Sequence, residues 1–250
     1  MHARVFKRGG ARARRGKFNN ALSIDEVRKT SMAIHTAYML GLAFNRFITI
    51  HWERAGVAEI DAARATASFL KYARDYLTAQ GLAFAYVWVR ENDEGDDSKG
   101  DHVHILAHVP EGKTLGRFQR RWIKTISGKP YQAKVILTRI IAGHTAAAHT
   151  MPELYRLNLA ILGDYVLKGA SFDAAAAVFI PWWRQGGRVM GQRCGMSRNL
   201  SRPINANPRA KSDSKPNAAG AAQKERLSGA AGLHGQALVS RLARQHPIAK

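Results

Sequence analysis

The sequence predicts an α+β protein, a mostly antiparallel sheet with helices packed on it. Three observations predict this. Between residues 44 and 170 the apolar pattern switches repeatedly between period 2 and period 3.6. The β-rich runs are separated by helical stretches, except for one pair joined by the acidic, glycine-containing ENDEGDDSKG, which suits a hairpin loop. The resulting order is βαββαβα, preceded by one more helix, and strands so distributed pair mainly antiparallel beneath a helical layer.

Taken in order, a first helix is expected near 31–43. Arg46–Trp52 (RFITIHW) is rich in β-branched and aromatic residues and reads as a strand. An amphipathic helix follows, with Ile60, Ala63, Ala67, Leu70 and Leu77 on its stripe and Gly81 as its stop. Ala83–Arg90 (AFAYVWVR) is the second strand and His102–Val109 (HVHILAHV) the third. Pro110 ends that strand, and a helix is expected over roughly 114–127, then a strand over about 133–141. The last helix opens with TMPE, where Thr150 and Glu153 match a capping box, and runs to Lys168 with Gly169 as its C-terminal cap.

Composition narrows the function classes. The chain has 250 residues, 39 Lys plus Arg against 18 Asp plus Glu, and a formal net charge of +21. Such an excess points to a polyanionic partner, most often nucleic acid. Residues 1–20 carry seven basic side chains and no acid, and residues 202–250 carry nine basic and two acidic ones. The expected organisation is a flexible basic tail over 1–22, a folded domain over 23–201 and a disordered basic tail over 202–250, in which Ala237–Leu242 could turn helical on binding. The single Cys194 excludes an internal disulfide and a cysteine-based zinc finger. No apolar run approaches a membrane span, and the N-terminal segment lacks the apolar core of a secretory signal, so a cytoplasmic protein without membrane contact is expected.

The third strand carries the chemistry. Alternate residues of a strand share a face, so His102, His104 and His108 point one way and Val103, Ile105, Ala107 and Val109 the other. Two imidazoles two residues apart on one face suit chelation of a metal ion. Glu91 closes the preceding strand; across a hairpin it lies opposite residue 101 or 102 and is a candidate third ligand. A one-residue slip would turn it to the other face. His51, sharing a face with Thr49 on the first strand, is a rival ligand. On the last helix Tyr165 and Lys168 stand three apart and share a face. Tyr165 is a candidate nucleophile, or else completes an apolar stripe of Leu154, Leu157 and Ile161. Tyr155 is turned away from it and is no paired second tyrosine.

These elements in this order resemble the HUH endonucleases, in particular the replication-initiator (Rep-like) branch of rolling-circle plasmids and phages. The resemblance covers roughly residues 44–170 and rests on RFITIHW, HVHILAHVP and YVLKG. QGGRVMGQRCGMSRN is similar to a segment that follows the tyrosine helix in some such proteins. The resemblance implies a ferredoxin/RRM-like (HUH) sheet and metal-dependent nicking of single-stranded or hairpin origin DNA. By it, His102, His104 and Glu91 hold Mg²⁺ or Mn²⁺, Tyr165 attacks to give a 5′-phosphotyrosine, and Lys168 stabilises the developing charge. With one candidate nucleophile a two-tyrosine mechanism is not expected, and unwinding would fall to a separate helicase. A transposase or relaxase would share this chemistry, and a non-catalytic nucleic-acid-binding module or a degenerate HUH fold is the alternative.

Weaker signals complete the reading. Arg117, Arg121 and Lys124 lie along one face of the helix GRFQRRWIK, a phosphate track if that helix flanks the site. Trp182 and Trp183 with Arg184, Arg188 and Arg193 suit stacking on unpaired bases, or else anchor their segment to the core. EGKT at Glu111–Thr114 is not a P-loop, because position 107 is Ala where that motif needs Gly. Cys194 reads as a small buried group, and His144 and His149 are assigned no chemistry.

Overall fold

The computed structural model describes residues 17–93, 100–182 and 186–201. Most of both basic tails, the acidic residues Glu94, Asp96 and Asp97, and Trp183 and Arg184 lie outside the described residues. The elements are β1 (Phe18–Asn19), α1 (Ile24–Met39), β2 (Arg46–His51), α2 (Glu59–Thr78), β3 (Ala85–Asp93), β4 (Gly100–His108), α3 (Gly116–Ser127), β5 (Ile136–Ile140), α4 (Ala147–Thr150), α5 (Pro152–Val166), α6 (Phe172–Ala176), β6 (Val189–Met190) and β7 (Cys194–Met196). A short 3₁₀ turn, Ile141–Gly143, follows β5.

The class is α+β. Five strands form one antiparallel sheet in the order β5-β2-β4-β3-β7. β2 and β3 run parallel to each other on either side of β4, with α2 between them in the chain; β4 and β5 flank β2 in the same way, joined through α3. These two interleaved split βαβ units make the arrangement ferredoxin-like.

Each sheet face has its own core. On one, Ile48, Ile50, Val103, Ile105 and Ala107 pack beneath α2 and α3 through Phe69, Leu70, Leu77 and Ile123. On the other, Val87, Val89 and Leu106 pack beneath α1, α5 and α6 through Val27, Ala37, Tyr155, Val166 and Ala174. Both faces are therefore covered, and the side of β4 that bears the histidines is not an open surface.

Several local expectations shift, each for a physical reason. The first helix begins at Ile24, because Ser23 and Glu26 form a reciprocal capping box that starts it a full turn and more ahead of residue 31. The buried stripe of α2 is Ala62, Ala65, Thr66, Phe69, Leu70, Ala73 and Leu77, while Ile60 is exposed. Trp52 sets that phase: its indole N–H donates to Thr66 Oγ1 at 2.8 Å. No Thr150–Glu153 box forms. Thr150 belongs to the short α4 and donates to the Ala146 carbonyl, whereas Pro152 opens α5 and Glu153 pairs with Arg156. Gly169 does not cap α5, which ends at Val166 with Leu167 as its cap.

The folded part also starts earlier than residue 23. Phe18–Asn19 pairs with Val189–Met190, and Leu22 is fully buried and bridges Ala170. β7 extends the sheet beyond β3, so the segment after the last helix is an edge strand of the sheet. Among the described residues no helix is long and apolar enough to cross a membrane.

Candidate metal centre

Register places the site. Glu91 pairs with His102 across β3 and β4, His51 pairs with the same histidine across β2 and β4, and Thr49 pairs with His104. Partners directly across antiparallel strands share a face, so Glu91, His102, His104, Thr49 and His51 project together beneath the last turn of α5. The hairpin that sets this register begins β4 at Gly100, whose φ of +58° and contact with the Glu53 side chain leave no room for a Cβ.

Glu91, His102 and His104 are buried, and their ligand atoms lie within 4.8 Å of one another. Glu91 Oε2 is 3.4 Å from His102 Nε2 and 3.6 Å from His104 Nε2. An octahedral ion with bonds of ~2.1 Å spaces adjacent donors ~3.0 Å apart, and these two separations exceed that by only a few tenths of an ångström. His51, the rival ligand, is not part of this group; its ring lies 5.4 Å from that of His102, centroid to centroid.

The imidazoles are oriented for ligation. His102 Nδ1 is 2.8 Å from the Gly100 carbonyl, which only accepts, so Nδ1 carries the proton and Nε2 presents its lone pair to Glu91. His104 Nδ1 is 3.0 Å from Thr49 Oγ1, a hydroxyl able to accept in the same way. Burial drives the His104 pKa down to about 4, against the pull of Glu91 and with help from His102, so the ring is neutral at physiological pH. His104 Nε2 and Glu91 Oε1 are buried with no hydrogen bond, while Glu91 Oε2 meets the Lys168 ammonium at 2.8 Å. Polar atoms orphaned in this way are costly unless something ligates them. The donor set and its orphaned atoms fit a divalent cation.

The end of α5 and the turn after it supply the rest. Lys168 Nζ is 2.8 Å from Glu91 Oε2 and 4.1 Å from the centre of the Tyr165 ring. Tyr165 lies edge-on to His104, with ring centroids 5.0 Å apart, and to Phe47 at 5.9 Å. Burial alone would raise the Glu91 pKa, but the two adjoining imidazoles and the Lys168 ammonium outweigh it and hold the carboxyl well below the usual carboxylate range. Burial works against the Lys168 ammonium too; Glu91 and Tyr165 overcome it and raise its pKa. The apolar-stripe reading of Tyr165 does not fit, since Leu154 and Ile161 are exposed. Tyr155, buried and stacked on Tyr38, is the core tyrosine, and its desolvated phenol is pushed far up.

The expected basic contacts divide. Arg117, Arg121 and Lys124 are exposed on α3, but α3 packs on the sheet face opposite the histidines, so this helix does not flank the site. Arg188 is exposed, with its guanidinium 4.0 Å from the centre of the Phe18 ring. Arg193 is no surface contact. It is wholly buried, donates to the carbonyls of Asn19 (2.8 Å) and Gly187, and burial lowers its pKa against the pull of Glu91. A Cβ on Gly186 would stand 3.1 Å from Arg193 Nη1 and 3.2 Å from Glu91 Cγ, and one on Gly169 would stand 3.2 Å from the same Nη1. Those glycines let the arginine lie close behind the carboxylate. Thr49 and Phe47 are the site residues that the motif reading left without a role; their alternation with His51 on β2 was the available signal.

No protein-family model, curated protein or solved structure matches this chain. The geometry is therefore what any functional reading must stand on.

Proposed function

We propose that the chain is an HUH-type, single-tyrosine DNA endonuclease and strand transferase that nicks single-stranded or hairpin origin DNA, initiating rolling-circle replication of a plasmid, phage or other mobile element. The observation that carries the reading is the convergence of Glu91, His102 and His104 beneath Tyr165, at the end of α5, and Lys168, in the turn that follows it. Glu91, His102 and His104 would hold Mg²⁺ or Mn²⁺; two nitrogen donors favour Mn²⁺. Bound there, the ion supplies polarisation of the scissile phosphate.

The chain's own groups do the rest. Tyr165 Oη bonds to phosphorus as the bond to the 3′-oxygen breaks; the phenolic proton leaves Tyr165 and the departing oxygen is protonated to a 3′-hydroxyl. The product is a 5′-phosphotyrosine that conserves the phosphodiester for rejoining. Lys168, beside both the ring and the carboxylate, favours the phenolate and the charge on the phosphate. Burial under α5 keeps bulk water from the cluster and strengthens each of these interactions. Work in the cytoplasm of a bacterial or phage-infected cell, with a separate helicase for unwinding, belongs to this proposal.

A second reading has its own observation. The Lys168 ammonium already gives Glu91 a positive partner at 2.8 Å, as a site neutralised from within would have. A degenerate fold that binds DNA or RNA without cutting follows from that. A transposase or relaxase differs from the first reading only in its DNA.

The test is a labelled single-stranded oligonucleotide carrying the element's origin hairpin, incubated with Mn²⁺ and run on a denaturing gel. A protein–DNA adduct lost with EDTA and with Tyr165→Phe supports the first reading. An adduct that survives Tyr165→Phe removes the nucleophile assigned here. Tight binding without cleavage in any divalent ion transfers the case to the second reading.

A further inference from the structure

The segment after Lys168 turns three aromatic side chains outward. Phe172 is 66% exposed, Phe179 92% and Trp182 51%, and the Phe172 and Trp182 rings meet edge-on at 5.9 Å. Trp182 is thus not buried as an anchor. Phe179 is the most informative of the three. Its neighbours Val178 and Ile180 both pack on the core, while Phe179 takes a φ of +57° and points into solvent. It occupies the left-handed position after α6, where the Ile180 N–H reaches back to the Ala175 carbonyl at 3.2 Å. Glycine is the relaxed residue for that position. A phenylalanine there bears both backbone strain and a ring that is 92% exposed.

The surrounding charge selects the ligand. With Arg193 buried and Lys168 paired with Glu91, the exposed charges described on this segment are Arg188 and Arg198 against one acid, Asp173. Flat, exposed rings on a basic segment match a polyanion that displays aromatic faces. We infer that Phe172, Phe179 and Trp182 form a stacking platform for unpaired nucleobases of a single strand. The choice of ligand class rests on the nucleic-acid reading above; the platform itself needs neither the metal nor Tyr165.

The test compares fluorescently labelled oligothymidylate with an abasic oligomer of equal length, which keeps the phosphates and lacks the bases. Binding is followed by anisotropy with the full chain carrying Tyr165→Phe, in EDTA, so loss of nicking cannot affect the result. The expected result is binding roughly tenfold tighter to the base-bearing strand. The triple variant Phe172→Ala/Phe179→Ala/Trp182→Ala should bind both strands alike, with an unchanged slope against salt because phosphate contacts remain. Phe179→Gly alone should raise Tm by about 2–4 °C while weakening base-dependent binding, a combination that misfolding cannot produce. Equal binding of both strands by the parent protein would overturn the proposal, as would discrimination that survives the triple substitution. A triple variant that changes sedimentation but not base discrimination would mark the patch as a contact between copies and also overturn it.

Discussion

Arg90 and Glu91 are adjacent on β3, both wholly buried, and they face opposite sides of the sheet. Arg90 lies on the α2/α3 side and is fully engaged. Its Nε donates to Asp101 at 3.2 Å, its terminal nitrogens to the same carboxylate and to the carbonyls of Met190 and Gln192. Glu91, on the α1/α5/α6 side, has Oε1 in no hydrogen bond and Oε2 facing two imidazoles and an ammonium. The same strand thus holds one charge spent on structure and one in a group that could hold a metal ion. What separates them is satisfaction of their polar atoms, since burial is equal. A buried charge with all its partners fixes the fold, and one with its oxygens incompletely met is a candidate for binding a ligand.

The contrast can be broken first at Arg90. Arg90→Met strands the Asp101 carboxylate in the interior and should cost about 3–5 kcal/mol in urea unfolding. A loss below about 1 kcal/mol would mean that the pair is not the clamp its geometry suggests. On β4 the two sides can be compared one residue apart. Ile105→Ala, under α2 and α3, should cost about 2–5 kcal/mol. His104→Ala should be close to neutral without metal, because lost packing is offset by removal of an imidazole whose Nε2 has no partner.

Metal sharpens the comparison further. Mn²⁺ at a hundredfold excess over its Kd should stabilise the protein by about 2.7 kcal/mol. EDTA should reverse the gain, and His102→Ala or His104→Ala should abolish it while Arg117→Ala leaves it intact. An unchanged Tm in Mn²⁺ would favour internal neutralisation of Glu91 by Lys168. The smallest effect concerns Cys194, whose thiol burial pushes up to about 12. A raised thiol pKa keeps the reactive thiolate scarce, so alkylation at pH 8 should be slow in the native protein and fast once urea restores an ordinary thiol near ~8.5.

How much of this was legible varies with the range of the interaction involved. His102 and His104 could be placed on one face from alternation alone, and Tyr165 beside Lys168 from their spacing, although Lys168 stands in the turn past α5. The Ser23–Glu26 box was equally legible and would have placed the start of α1 correctly. The basic face of α3 was visible, but not the side of the sheet that receives it, because either layer would bury Ile123. Arg193 read as a surface cation because nothing in its neighbourhood announces that Gly169 and Gly186 leave space for it behind Glu91.

The sequence by itself determined the α+β class, the two-sided character of β4 and the residue types at the centre. Those follow from backbone sterics and side-chain alternation, which act over a few residues. Tertiary structure alone decided that Glu91 pairs with His102 and not one position away, that α5 closes over the cluster, and that α3 packs on the other layer. A one-residue slip would have turned Glu91 from the imidazoles, and only the long-range packing of both sheet faces forbids it.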